Sequence, residues 1–251
     1  MKTVSILLIA FTAGGAAKSV QAQQTAEPLS DAEVVALSQW SYDDLYTGGI
    51  SAEEFIDEMD VYDPTGEEIG DVEDILIGPD GRVLAIVAEV GGFWDIGDTH
   101  VSIPFDQVEM AADGEGVVVP VTEETVDDYG NWGDAWTTTG VDGVGEEIAA
   151  GIDDLELPRA WRASELIGDA ARLTEDAGYA NYGYVNDLIL RDGEVAAVVV
   201  NPATGYGGGY RAYPYYGYGR GWNAGAPYYD MPYAEEEIGD VEEFDYDRLG
   251  S

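Results

Sequence analysis

Few residues in this chain of 251 could perform catalysis. It contains no cysteine and a single histidine, His100. A nucleophilic serine needs a base beside it, and His100 is the only imidazole that could serve. This residue begins a segment in which apolar and polar residues alternate, which indicates an exposed position at the start of a strand. The sequence therefore predicts no catalytic residues and no enzymatic activity.

Metal and carboxylate chemistry has no better support in the sequence. Residues 95–100 could hold a metal through loop carboxylates and one imidazole, but no second cluster converges on them, so a turn between strands is favoured. The chain lacks the calcium-hand pattern and the glycine loop between strand and helix that phosphate binding needs. Adjacent carboxylates are so frequent among the 51 acidic residues that no pair indicates a glycosidase. We expect no metal and no cofactor.

One segment, residues 201–227, has a composition that suggests a function, because it is rich in glycine and tyrosine. Tyrosine offers a large contact area with a polar tip, which suits recognition, and the two arginines of the tract can make cation–π contacts. The tract is predicted to be a long mobile loop without a packed core, and it is either a recognition surface or a tolerated insertion. The candidate interaction residues are those of the tract together with two aromatic residues of the shorter loop in the first half of the chain: Tyr206, Tyr210, Arg211, Tyr213, Tyr215, Tyr216, Tyr218, Arg220, Trp222, Phe93 and Trp94.

The elements that would position these residues occur twice in the chain. The segment GDVEDILIGPDGRVLAIVA begins at Gly70, and GYVNDLILRDGEVAAVVV begins at Gly183. Both have a G-x-V-x-D start, an aliphatic triplet, a D-G turn and an aliphatic run. A second match pairs HVSIPFDQVEM, from His100, with YYDMPYAEEEI, from Tyr228. A spacing of about 112 residues is too long for a solenoid and indicates two copies of one small domain, which we call the first and second copies.

Strands are predicted to dominate both copies. In the first copy, the turn and strand patterns predict a turn at 63–66 and strands over 69–77, 82–90, 101–105 and 117–119. The apolar runs at 83–88 and 195–200 have no polar face, so these strands need cover on both sides. The capped helix or the other copy is expected to supply that cover.

Short helices are predicted where a serine begins a capping box. Ser30 and Ser51 are each followed three residues later by a glutamate, so that hydroxyl and carboxylate can satisfy the first helical N–H groups. The first box predicts a helix through residues 34–37, and the second predicts a helix that includes Phe55. Residues 162–168 occupy the equivalent place in the second copy.

The first 22 residues have the features of a secretory signal peptide. Lys2 provides a positive start, residues 4–11 form a short apolar core, and residues 20–22 have the small-x-small pattern for cleavage after Ala22. This apolar stretch is shorter than the span of about 20 residues that a transmembrane helix needs. No cysteine follows it, which excludes a lipid-modified N-terminus and disulfides. We expect a periplasmic or secreted protein whose mature chain has no transmembrane segment.

The charge of the chain limits its partners. The formal net charge is −41, and both lysines, Lys2 and Lys18, lie in the predicted signal peptide. The remaining chain carries eight arginines against 51 acidic residues, so it repels nucleic acid and anionic headgroups, and nucleic-acid binding is excluded. The acidity indicates either solubility in a saline habitat, a cationic partner, or diffuse binding of cations.

The segment VYDPTGEEIGDVEDILIGPDGRVLAIVAEVGGFWDIGDTHVSIPFDQVEM, from Val61, resembles a PRC-barrel domain. The resemblance rests on the turn glycine before V-x-D, the D-G hairpin, the strand that ends in V-G-G-F, and I-P-F. The second copy keeps R-A-S-E-L-I-G, G-Y-V-N-D-L-I-L and M-P-Y but lacks V-G-G-F. This family occurs in the H subunit of purple bacterial photosynthetic reaction centres and in a ribosome maturation factor. The resemblance implies a small β-barrel for interaction or assembly, without catalysis of its own.

Together these observations predict a mainly β fold of two small PRC-type β-barrels in tandem, with short capped helices and a long linker. The predicted segments are a signal peptide at 1–22, a lead with a short helix at 23–48, a first barrel at 49–122, an acidic glycine-rich linker at 123–158, and a degenerate second barrel at 159–251 with the insert 201–227. The predicted function is that of an exported scaffold for an unidentified protein partner. The alternatives are a binder of the cell surface or of polysaccharide through the Tyr/Gly-rich tract and a low-affinity binder of cations.

Overall fold

The protein is described by a computed structural model over residues 33–91, 99–112, 114–122, 125–126, 160–176, 178–222 and 225–250. Within these residues the chain is mainly β and forms two curled sheets with a few short helices. This confirms the predicted fold class of two barrel-like β domains in tandem. The predicted signal peptide, residues 23–32 of the lead and nearly all of the predicted linker lie outside the described residues.

The elements are short apart from the two long hairpins. The strands are β1 (Ile50–Ser51), β2 (Asp60–Tyr62), β3 (Glu68–Ile77), β4 (Val83–Val90), β5 (Thr99–Pro104), β6 (Glu109–Met110), β7 (Gly116–Val118), β8 (Trp161–Arg162), β9 (Ala170–Glu175), β10 (Gly178–Arg191), β11 (Glu194–Pro202), β12 (Arg211–Pro214) and β13 (Tyr228–Asp230). The α-helices are α1 (Asp43–Tyr46), α2 (Ala52–Glu58) and α3 (Ala163–Leu166). Short 3₁₀ helices cover Leu37–Gln39, Phe105–Gln107, Thr204–Tyr206, Glu235–Glu237 and Tyr246–Arg248.

The two sheets repeat one topology. The first has the strand order β5-β4-β3-β2-β7-β6, and the second has the order β12-β11-β10-β9-β13. Neighbours run antiparallel except for the parallel pairs β2–β7 and β9–β13. A shift of register also recurs at the same place, between Val72 and Asp74 in the first sheet and between Val185 and Asp187 in the second. The repeat in sequence is therefore a repeat in structure.

The second match of the sequence repeat is wrong. β13, which carries the start of YYDMPY, pairs with β9 and so takes the place of β7, not of β5. The counterpart of β5 is β12. In the first sheet Pro104 of β5 lies opposite Ala85. In the second, Pro214 of β12 lies opposite Ala197 in the equivalent register. Residues 213–215 (Y-P-Y) thus take the place of I-P-F, because a three-residue motif could not distinguish two such segments.

Gly70 and Gly183 open the repeated motif, but they lie inside β3 and β10 rather than in a turn. A Cβ atom at Gly70 would collide with the carbonyl oxygen of Glu89 on the neighbouring strand. At Gly183 it would collide with the carbonyl oxygen of Asn201. Glycine is required at both positions because two backbones approach closely.

The hydrophobic core is shared between the copies. Its largest cluster contains buried side chains of both sheets, among them Ile75 and Val101 from the first copy and Leu173 and Val198 from the second. The buried apolar side chains of the two copies therefore form one continuous cluster.

The prediction that two apolar strands need cover on both faces is confirmed for β4. Ala85 and Val87 are buried on its outer side together with Leu76 of β3. Ala160, which directly precedes β8, packs against this cluster. Through Ala160 the second copy thus contributes to the cover of the outer side of β4.

On β11 the cover comes from elements that the sequence did not indicate. Ala197 and Val199 face a second small cluster, in which they pack with side chains of α1 and with Phe244 near the C-terminus. Tyr46 of α1 stacks on Phe244, with ring centroids 5.4 Å apart. The lead and the C-terminal segment together form this cover.

One predicted helix start is confirmed and one is wrong. The Ser51 hydroxyl accepts a hydrogen bond from the amide of Glu54 at 3.0 Å and caps α2. The box at Ser30 begins outside the described residues, and the predicted helix through 34–37 does not form. A 3₁₀ turn at Leu37–Gln39 occurs instead. No helix in the described part of the chain is long and apolar enough to cross a membrane.

Candidate functional site

The Tyr/Gly-rich tract is not the mobile loop that its composition predicts. Residues 211–214 form β12, which pairs with β11 in the second sheet. Four aromatic side chains of the tract are buried in the main core: Tyr213, Tyr215, Tyr216 and Trp222. The composition led to a wrong prediction here because β12 is the counterpart of β5, but it contains none of the aliphatic residues that identified β5 in the sequence.

Burial of these tyrosines is tolerated because their hydroxyl groups form hydrogen bonds inside the protein. The hydroxyls of Tyr182 and Tyr213 lie 2.7 Å apart, and those of Tyr216 and Tyr233 lie 2.9 Å apart. The hydroxyl of Tyr229 accepts a hydrogen bond from the Tyr216 amide at 2.7 Å. Buried polar groups are tolerated when paired in this way. These tyrosines therefore stabilise the core instead of forming a binding surface.

The other candidates of the tract are half-buried and engaged in local contacts: Tyr206, Tyr210, Arg211, Tyr218 and Arg220. Tyr218 stacks on Trp161 at a centroid distance of 4.6 Å, and the Arg220 guanidinium lies 5.8 Å from the Tyr216 ring. The expected cation–π contact is thus present for Arg220. Phe93 and Trp94 lie outside the described residues. An interaction role for the half-buried members stays a prediction.

His100 lies on β5 between two carboxylates. Its Nε2 is 3.2 Å from Glu73 Oε2 and 3.6 Å from Glu89 Oε2. This half-exposed position matches the expected place of the histidine at the start of a strand. Among the described residues no group of three or more histidine, aspartate or glutamate side chains is arranged to hold a metal, and residues 95–98 are outside them.

The most specific polar contact in the molecule joins the two copies, and it is reciprocal. β1 of the first copy pairs with β10 of the second, with Ser51 opposite Ile189. β8 of the second copy pairs with β3 of the first, with Arg162 opposite Leu76. Ile189 and Leu76 are equivalent positions in the repeat. Each copy therefore adds a short strand to the sheet of the other.

The helix that follows β1 is held by an aspartate of the other copy. Asp187 of β10 is fully buried, and its Oδ2 accepts a hydrogen bond from the Ser51 hydroxyl at 2.6 Å. Its Oδ1 accepts hydrogen bonds from the amides of Glu53 at 2.9 Å and Leu188 at 2.7 Å. Glu53 is the second residue of α2, so Asp187 satisfies an amide that a helix start leaves unpaired.

The same contact exists in the opposite direction. Asp74 of β3 is buried, and its Oδ1 accepts hydrogen bonds from the amides of Ser164 at 3.3 Å and Ile75 at 2.8 Å. Its Oδ2 accepts a hydrogen bond from the Ser164 hydroxyl. Ser164 is the second residue of α3. Each aspartate of the G-x-V-x-D motif thus holds the first turn of the other copy's helix.

The two D-G hairpins also meet. The amide of Val83 donates a hydrogen bond to the carbonyl of Gly193, and the amide of Val195 donates one to the carbonyl of Gly81, both at 2.8 Å. Equivalent groups again exchange bonds, as in the isologous interface of a symmetric dimer. We call the whole arrangement, residues 50–54 with Asp187 and residues 161–164 with Asp74, the exchange contact.

Burial determines the electrostatics of the exchange contact. Loss of water raises the pKa of Asp187 to about 6, although the hydrogen bonds from Ser51, Glu53 and Leu188 oppose this shift. Burial raises the pKa of Asp74 as well, against the hydrogen bonds from Ser164 and Ile75. Both carboxylates therefore lower the free energy of unfolding when they ionise inside the protein.

We expect Asp187→Asn to flatten the pH dependence of stability. The native state keeps a proton on Asp187 up to about pH 6, whereas the unfolded chain releases it near pH 4, so stability falls as pH rises through this window. The free energy of unfolding of the wild type should fall, relative to Asp187→Asn, by about 1 kcal/mol between pH 5 and pH 7. Urea unfolding of both proteins at these two pH values measures the difference. An equal pH response in the two proteins would contradict it.

Sequence reasoning quoted both aspartates but missed their role. The signal was present, because Asp74 and Asp187 are the charged residues that the two copies share within otherwise aliphatic strands. It was also visible that Ser51 and Ser164 begin the helical segments. What the sequence could not indicate is that each aspartate faces the helix of the other copy.

Comparison with known proteins agrees with this architecture. The model of the PRC-barrel domain family matches residues 53–126, which overlap the first barrel predicted at 49–122. No curated protein matches the chain. The matched residues contain the whole of the first sheet except β8, the strand that the second copy supplies. The chain therefore carries a PRC-barrel domain at residues 53–126.

Proposed function

We propose that this protein is an exported, non-enzymatic scaffold that binds other proteins through its paired barrel-like domains. The exchange contact carries the proposal. In it the sheet of each copy accepts a short strand, and a buried aspartate binds the first turn of the incoming helix. Strand addition is a common mode of protein recognition. A domain that already docks a strand–helix unit of its neighbour is suited to assembly.

The absence of catalysis in this proposal is supported by the environment of the reactive groups. The Nε2 atom of His100 lies near carboxylate oxygens of two glutamates, Glu73 and Glu89. Asp74 and Asp187 are engaged by amides and serine hydroxyls of the exchange contact. Asp74 and Asp187 are buried, and their hydrogen bonds within the exchange contact give them a role in the fold.

The negative charge of this chain favours a partner protein with a cationic surface. A formal net charge of −41 accelerates association with a basic protein, and this attraction weakens as salt screens it. The export part of the proposal rests on the signal-peptide pattern of residues 1–22. Polysaccharide binding by the Tyr/Gly-rich tract has less support, because four of its aromatic side chains belong to the core.

Affinity capture from a periplasmic extract tests the proposal. The mature chain with a C-terminal tag should retain at least one basic protein in a stoichiometric amount, and the retained amount should fall between low and high salt. An unrelated folded protein of matched negative charge serves as the control, because it captures partners that respond to charge alone. The scaffold proposal is wrong if no partner is specific to this chain at any salt concentration.

A further inference from the structure

The outer face of the second sheet is covered at one end and open at the other. The lead and the C-terminal segment cover it near Ala197 and Val199. At the open end, where β9, β10 and β13 lie side by side, two tyrosines of β10 are exposed. Tyr179 has 50% and Tyr184 has 59% of its surface accessible, and these are the most exposed large apolar side chains in the described residues.

An arginine fixes the arrangement of the rings at this open end. The Arg172 guanidinium lies 3.4 Å from the centroid of the Tyr228 ring and 4.9 Å from that of Tyr179. It also donates two hydrogen bonds to Asp230, from Nε at 2.7 Å and from Nη2 at 2.9 Å. The two opposite charges neutralise each other, and the rings are held in place on either side of the guanidinium.

The equivalent face of the first copy provides an internal comparison, because the strand pairings give the matching positions. Asp71 lies opposite Asp60 and Glu89 in the first sheet. Tyr184 lies opposite Ala170 and Asn201 in the second. Likewise Asn181 replaces Glu68. Four acidic positions of the first copy's face are thus uncharged in the second copy, so the shared fold does not explain why this face lacks net charge. We call it the neutral face, and it consists of Ala170, Arg172, Tyr179, Asn181, Tyr184, Asn201, Tyr228 and Asp230.

We propose that the neutral face binds an uncharged polysaccharide. The faces of exposed tyrosine rings pack well against the C–H groups of sugar rings, and phenol and amide groups beside them can exchange hydrogen bonds with sugar hydroxyls. An uncharged chain avoids the repulsion that a protein of net charge −41 exerts on anionic polymers. A cationic ligand would be attracted instead to the acidic face of the first copy. The neutral face is therefore suited to binding a neutral glycan.

The place of these residues in the sheet also favours a glycan over a neutral peptide. Proline-rich peptides bind in grooves between aromatic ridges, and extended peptides add to a sheet edge. The neutral face is the broad side of the sheet rather than a groove or an edge: Tyr184 lies between Ala170 of β9 and Asn201 of β11, and only Tyr228 and Asp230 belong to the edge strand β13. This ligand is additional to the protein partner proposed above, and of the residues that form the neutral face only Asn201 belongs to the Tyr/Gly-rich tract.

Affinity electrophoresis of the full mature chain tests the proposal. Native gels that contain dextran, laminarin or glucomannan should retard the protein in at least one case, relative to a gel without polymer. The double variant Tyr184→Asp, Asn201→Glu rebuilds the chemistry of the first face and should lower the affinity at least tenfold. Tyr179→Ala with Tyr184→Ala should do the same without added charge.

The matched control is Asp71→Ala with Glu89→Ala, at the equivalent positions of the first copy, which should leave retardation unchanged. All of these side chains are at least partly exposed, so the free energy of unfolding should stay within about 1 kcal/mol of the wild type. The proposal is overturned if no neutral polymer retards the chain, if the variants and the control are retarded equally, or if a proline-rich peptide alone binds this face. No partner protein is in the gel, so failure of the scaffold proposal would not affect the result.

Discussion

Asp187→Ala is expected to lower the free energy of unfolding of the entire protein by about 3 kcal/mol. The substitution removes the acceptor of three hydrogen bonds and leaves the Ser51 hydroxyl and the amides of Glu53 and Leu188 buried without it. Two of these donors belong to the first copy, so the loss should affect both copies at once. Urea unfolding followed by tryptophan fluorescence, with Trp161 in the interface, measures the change.

Asp74→Ala should have a comparable effect, because it removes the equivalent acceptor from Ser164 and Ile75. Asp71→Ala is the matched control. It lies on the same strand and in the same motif, but its side chain is exposed, so its effect should be within about 0.5 kcal/mol. Two separate unfolding transitions, or an Asp187→Ala effect no larger than that of the control, would show that the copies do not depend on each other.

The halves of the molecule differ in how far sequence could predict them. In the first copy four strands, β3, β4, β5 and β7, and the helix after Ser51 follow from local patterns, and the structure agrees with them, whereas β1, β2 and β6 were not predicted. Apolar alternation and D-G turns act within a few residues, so they are visible in a single sequence. The fold class and the tandem repeat were predicted for the same reason.

The errors in the second copy have one physical origin. Tyr213 and Trp222 were assigned to a mobile loop because tyrosine and glycine are rare in cores. Both side chains lie in the main core: Tyr213 belongs to β12, which occupies a place in the sheet that the topology requires, and its hydroxyl pairs there with that of Tyr182. That place is determined by strands far away in sequence, so composition alone indicated an insertion.

The exchange contact could be predicted only in part, because it depends on which copy each segment meets. Ser51 and Asp187 are 136 residues apart, and Ser164 and Asp74 are 90 apart. A pattern within one copy fits equally well with an aspartate that caps its own helix. The repeat nevertheless implies that Asp74 and Asp187 have the same role, each in its own copy.

Cutting the chain between the copies is expected to leave them associated. A site-specific protease sequence placed within residues 127–159 of the full chain allows the two halves to be separated covalently after folding. Val126 before this segment and Trp161 after it belong to the shared core, and the exchange contact lies outside the segment, so a cut within it leaves these contacts in place. The cleaved halves should therefore elute together from size exclusion at micromolar concentration. Urea should release them from each other.

The same cut in Asp187→Ala tests whether the exchange contact holds the cleaved halves together. The uncut variant remains one molecule because its copies are tethered, whereas after cleavage the weakened contact has to hold two molecules together against the entropy of association. A loss of about 3 kcal/mol corresponds to a more than hundredfold rise in the dissociation constant, so the halves of the variant should separate at concentrations where those of the wild type stay together. Immediate separation of the wild-type halves would mean that the chain connection, and not the reciprocal capping, joins the two copies.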